Sequence, residues 1–117
     1  MKKVAIVVGA RPQFIKAAPV LHALRKYPLE IVIIHTGQHY DVNLSEIFFN
    51  ELSIPTADYH LNCGSGDGVT QYVTIMERLS SVLARERPDL TVVFGDTNST
   101  GASALTSRLL KIPVAHI

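Results

Sequence analysis

Val4-Ala5-Ile6-Val7-Val8-Gly9-Ala10-Arg11-Pro12 sets five apolar residues, a glycine and a proline in an order that suits one local structure. An unbroken β-branched run without polar alternation fits a strand covered on both faces, as in parallel sheets. Gly9 permits a sharp turn, and Pro12 fits the first helical position, where its missing N–H is no loss. Phe14, Ala17, Ala18, Leu21 and Leu24 then recur at helical spacing until Pro28 ends the pattern. Pro19 lies inside that helix and predicts a kink or a broken first turn.

The same grammar repeats downstream. Glu30–His35 reads as a second buried strand, and residues 36–42 as a polar loop. Asn43 and Glu46 are spaced as a capping box for a helix carrying Ile47, Phe48 and Leu52. A short segment at Tyr59-His60-Leu61 precedes the glycine-rich run Asn62–Gly68. Val69–Arg87 predicts a long helix with Val69, Tyr72, Val73, Met76, Leu79, Val82 and Leu83 on its apolar face. Leu90–Phe94 is a strand, Gly101–Lys111 a helix with Ala104, Leu105 and Leu109 facing in, and Pro113–Ile117 opens another strand. Alternation of this kind predicts an α/β fold with a doubly wound parallel sheet. Ending inside strand character at Ile117 implies a truncated, partial domain over 1–117.

Composition narrows the function. The 117 residues are 47% apolar with a formal charge of +1 and no basic block, so neither nucleic acid nor a membrane surface has electrostatic support as a partner. Cys63 is the one cysteine, which excludes an internal disulfide and favours a reducing, cytoplasmic compartment. The apolar run at Val4–Val8 is too short for a signal peptide or a membrane span.

Ligands of open α/β sheets bind beyond the C-terminal ends of the strands. Three polar turns occupy that position: Gly9–Lys16, Thr36–Asp41 and Gly95–Thr100. Arg11 offers a planar fork to a phosphate, a uracil carbonyl or a carboxylate, and Lys16 a second cation near a helix N-terminus. Asp96 follows a buried strand directly, where its carboxylate suits a sugar hydroxyl or a proton, although Asp and Thr are also favoured helix N-caps. His39 has the chemistry of a base or a phosphate donor, and equally that of a surface residue. A dinucleotide fingerprint fails, since Arg11 and Phe14 stand where glycines belong, and no Walker-type loop occurs. His35 ends a strand, and His60-x-x-Cys63 lacks a second pair, so no metal site is expected.

Gly9-Ala10-Arg11-Pro12-Gln13-Phe14-Ile15-Lys16, Thr36-Gly37-Gln38-His39-Tyr40-Asp41, Gly95-Asp96-Thr97-Asn98-Ser99-Thr100 and Pro113-Val114-Ala115-His116-Ile117 together resemble motifs of the non-hydrolysing UDP-N-acetylglucosamine 2-epimerases. The resemblance implies a Rossmann-like N-terminal domain of a glycosyltransferase-B-like two-domain enzyme, with the C-terminal domain absent from this chain. It implies conversion of UDP-GlcNAc to UDP-ManNAc for polysaccharide biosynthesis, without a cofactor or metal, in a homodimer. Arg11 and Lys16 then match substrate-binding positions, and Asp96 an acidic catalytic and substrate-binding one. Gln38 and His39 match a loop that holds a regulatory or substrate UDP-sugar. Many members have Gly-Thr-Arg-Pro-Glu where this chain has Gly9-Ala10-Arg11-Pro12-Gln13, a variant resembling epimerases of UDP-diacetamido-glucuronate. A glycosyltransferase of the same build and a non-catalytic nucleotide-sugar-binding domain are the alternatives. The segment alone is expected to be inactive.

Overall fold

The computed structural model of the chain describes residues 1–9, 11–37, 57–63 and 67–117. Among these residues five strands form one parallel sheet: β1 (Lys2–Val8), β2 (Leu29–His35), β3 (Tyr59–His60), β4 (Leu90–Val93) and β5 (Val114–His116). Their spatial order is β3-β2-β1-β4-β5, so the direction of winding reverses between β1 and β4. Three described helices, α1 (Arg11–Leu24), α2 (Gly68–Glu86) and α3 (Asn98–Leu109), cover the sheet.

The two-sided burial expected of Val4–Val8 is realised residue by residue. Val4, Ile6 and Val8 pack with Ala17, Ala18 and Leu21 of α1, whereas Ala5 and Val7 pack with Ile75, Leu79 and Leu83 of α2 and Ala102 of α3. Adjacent side chains of a strand point to opposite faces, and here both faces are covered. The doubly wound arrangement follows.

Two expectations for helix α1 need adjusting. It begins at Arg11, one residue before Pro12, and it runs unbroken through Pro19, whose ring is exposed. The expected capping box at Asn43 and Glu46, and the helix after it, lie outside the described residues.

The inward faces of the other helices also differ from the sequence reading. On α2 the buried ridge is Ile75, Leu79, Val82 and Leu83, with Tyr72 and Met76 flanking it, while Val69 and Val73 are exposed. On α3 the buried residues are Ser99, Thr100, Ala102, Ser103, Thr106 and Ser107, whereas Leu105 and Leu109 face outward. The reason is distance. A Cβ placed on Gly101 would lie 3.0 Å from the Tyr72 hydroxyl, so α2 and α3 meet where small residues let them approach. Hydropathy assigns leucine to the interior by default; close helix packing selected serine, threonine and alanine instead.

At the N-terminal end of β1, Lys3 donates to Glu86 and pairs with Glu30 at 3.2 Å, and Tyr59 donates to the other Glu86 oxygen. The Tyr59 and Lys3 hydrogen bonds hold the Glu86 carboxyl below its ordinary range. This cluster ties β1 and β3 to the end of α2.

Candidate functional site

Parallel pairing of β1 with β2 and β4 brings their C-terminal ends to one edge. Helix α1 starts directly beyond β1, and α3 directly beyond β4. The first turn of α2 lies beside that of α3, because Asn98 Nδ2 donates to Gln71 Oε1 at 2.9 Å. Helix N-termini gathered at a strand edge favour bound anions.

The turn after β4 is shaped by Gly95, whose φ of +72° is the left-handed conformation that glycine adopts at least cost. Its N–H donates to Ile117 O, and its carbonyl accepts from His116 Nε2. Asp96 follows in an exposed position. The helix cap is Thr97, whose hydroxyl accepts from the Thr100 N–H while the Thr100 hydroxyl accepts from the Thr97 N–H. Asp96 is therefore not the N-cap, and its side chain is exposed. Asp67 does serve as a cap, for α2, and hydrogen bonds from the Thr70 N–H and hydroxyl hold its carboxyl below the usual range.

The turn after β1 is fixed by close approach. A Cβ on Gly9 would sit 2.4 Å from Thr36 Oγ1 and 2.8 Å from Ser99 Oγ, and those two buried hydroxyls share a hydrogen bond of 2.7 Å. Thr36 belongs to the turn after β2 and Ser99 to the first turn of α3. The ends of β1, β2 and β4 thus meet at one point.

Gln13 completes the junction. Its side chain is 4% exposed, its Oε1 accepts from the Gly9 N–H at 2.7 Å, and its Nε2 donates to Phe94 O and Thr97 Oγ1, both at 2.9 Å. The Thr100 hydroxyl lies 3.2 Å from the same nitrogen and donates to Phe94 O.

Of the residues predicted from sequence, Arg11 opens α1 at this edge, Lys16 is exposed on α1 and Asp96 stands in the β4 turn. The Arg11 side chain, Gln38 and His39 lie outside the described residues. Sequence reasoning missed Gln13, Thr36, Ser99 and His116. Gln13 had one usable signal: a polar residue four positions after the glycine that ends a strand, on the inner face of the following helix. Among the described residues no group of His, Cys, Asp or Glu could hold a metal ion. The rings of His35 and His60 are neighbours at 5.6 Å between centroids, across adjacent strands.

The sequence profile of UDP-N-acetylglucosamine 2-epimerase matches residues 22–117. The chain belongs to that family. A UDP-N-acetylglucosamine 2-epimerase homologue of Methanococcus maripaludis is 50% identical over 98% of this chain and 32% of its own length. The UDP-2,3-diacetamido-2,3-dideoxy-D-glucuronate 2-epimerase of Pseudomonas aeruginosa is 44% identical, over 98% of this chain and 33% of its own. Among solved structures, the UDP-GlcNAc 2-epimerase of Methanocaldococcus jannaschii in complex with UDP-GlcNAc and UDP superposes with a TM-score of 0.92 at 45% identity, over 98% of this chain and 32% of that one. This epimerase-family chain spans about a third of the length of these relatives.

Proposed function

We propose that the full-length protein is a UDP-sugar 2-epimerase acting on UDP-GlcNAc, with the β1 and β4 turns forming the N-terminal wall of its active site. The observation that carries this reading is the meeting of the Gly9 and Gly95 turns at the point where winding reverses. Family membership, and a relative of the same fold bound to UDP-GlcNAc and UDP, supply the ligand class.

The chemistry is redox-neutral. The C2 proton leaves, the C1–O bond to UDP breaks, and a C1=C2 double bond forms in the sugar. A proton then returns to the opposite face of C2 while a UDP oxygen re-adds at C1. Breaking the C–O bond places charge on the diphosphate, which Arg11, Lys16 and the helix N-termini stabilise. The Asp96 carboxylate steadies positive character on the ring and exchanges the proton. Gln38 and His39 contribute to a neighbouring UDP-sugar loop, and a second α/β domain closes the cleft from the other side.

Incubation of the full-length protein with UDP-GlcNAc in deuterated water is expected to place deuterium at C2 and to form UDP-ManNAc. A glycosyltransferase or a binding-only domain would leave C2 protonated, and that outcome removes the epimerase reading. The 44% identity to the Pseudomonas enzyme supports a second substrate, UDP-2,3-diacetamido-2,3-dideoxy-glucuronate, for the same assay.

We also propose a cytoplasmic homodimer. No helix among the described residues is long and apolar enough to cross a membrane. Val73 on α2 and Leu109 on α3 are 54% and 67% exposed along one groove with Met76 and Leu110, an apolar strip suited to a second copy. Light scattering on the full-length protein is expected to give twice the chain mass, reduced to one by V73D with L109E; a monomeric wild type refutes the dimer.

A further inference from the structure

The geometry points to Gln13 as the positioning residue that holds the phosphate-side turn and the sugar-side turn in register. We infer that it acts on catalysis through Gly9 and Thr97 without touching the substrate, an inference that rests on the epimerase reading for its turnover arm alone.

The argument starts from what one carboxamide can do. It accepts at oxygen and offers two hydrogens at nitrogen. The Gln13 oxygen takes the Gly9 N–H, which belongs to the turn leading into Arg11. The nitrogen gives to Phe94 O and Thr97 Oγ1, which bracket Gly95 and Asp96 in sequence. Gln13 is therefore bonded to both ends of the turn that presents Asp96, and to the glycine that leads into Arg11. These bonds cross more than eighty positions of sequence; the one to Phe94 O is buried away from competing water, and the one to Thr97 Oγ1 is partly buried. Among the other described ties at this edge, Thr36 to Ser99 joins the β2 turn to α3, and His116 and Ile117 hold Gly95 to β5; neither bonds the β1 turn to the β4 turn.

Removing the carboxamide does not empty the site of partners. In Q13L the Phe94 carbonyl retains the Thr100 hydroxyl and the core volume is nearly conserved. The Gly9 N–H and the Thr97 and Thr100 hydroxyls each lose their bond to Gln13, and the Phe94 carbonyl loses one of two donors. The fold is expected to survive with its two turns uncoupled. In Q13E a protonated carboxyl spans the same gap: one oxygen accepts from the Gly9 N–H and the carboxyl O–H donates to Phe94 O, so the bridge is retained. Q13N keeps the polarity but is one methylene short of spanning both turns.

The test uses the full-length protein with these variants, plus Ile6→Val in the core of β1 as a control for lost stability. The readouts are UDP affinity, the rate of C2 proton exchange and the thermal midpoint. Q13L and Q13N are expected to lower UDP affinity and exchange kcat by about tenfold each, and Q13E to restore both within about threefold. Ile6→Val is expected to lower the midpoint while keeping wild-type kinetics. Wild-type kcat and UDP affinity in folded Q13L or Q13N overturn the proposal, as does an equal kinetic loss in Ile6→Val. If wild type exchanges no C2 proton, the epimerase reading fails separately, and UDP affinity alone still decides the role of Gln13.

Discussion

Asp96→Asn in the full-length protein is expected to lower C2 proton exchange by about 10³-fold, within the range that a positioned acid or base contributes. Asparagine matches the side chain in shape and cannot carry the proton. The structure gives this substitution unusual clarity, because the usual second duty of an aspartate at a strand-to-helix turn falls elsewhere. Thr97 caps α3, so Asp96 has no part in starting the helix. Its exposure keeps the expected stability change within about 0.5 kcal/mol. A variant that folds, binds UDP and still exchanges at the wild-type rate would strike Asp96 from the chemistry.

Gly9→Ala is expected to destabilise the full-length protein by about 1–3 kcal/mol, as overpacking of a tight site does, and to weaken UDP binding with it. The added methyl meets Thr36 Oγ1 at 2.4 Å and Ser99 Oγ at 2.8 Å. Neither hydroxyl sits at the end of a flexible chain, and each is buried and bonded to the other. Relief requires backbone movement of the β1 turn, the segment that leads into Arg11. Combining the change with Thr36→Ala is expected to be non-additive by about 1 kcal/mol, since the two alter one contact. A denaturation midpoint unchanged by Gly9→Ala would show that the junction is looser than its distances imply.

What the sequence disclosed depended on whether a residue's neighbours were local. Val4–Val8 announces a two-sided strand because β-branched continuity is a property of the strand itself, and the alternation of elements then selects the parallel sheet. Asp96 stood out because it directly follows such a strand. Gln13 did not, because its significance lies in Phe94 and Thr97, which only folding brings near. The outward turn of Leu105 and Leu109 was hidden for a similar reason: the choice between leucine and serine as the inner face depends on how near α2 lies. His116 reads as strand from its neighbours, while its bond to the Gly95 carbonyl depends on β5 lying against β4.

The serine- and alanine-lined underside of α3 has a bearing on how such a protein could be retuned. A rod seated on its bed with so little clearance cannot absorb a larger group by local repacking. Enlargement at Ala102 or Ser103 would tilt the whole rod, and its leading tip would drag Asn98 and Thr97 away from the opening. Variation aimed at new specificity belongs on the outward rim residues, with the underside left alone.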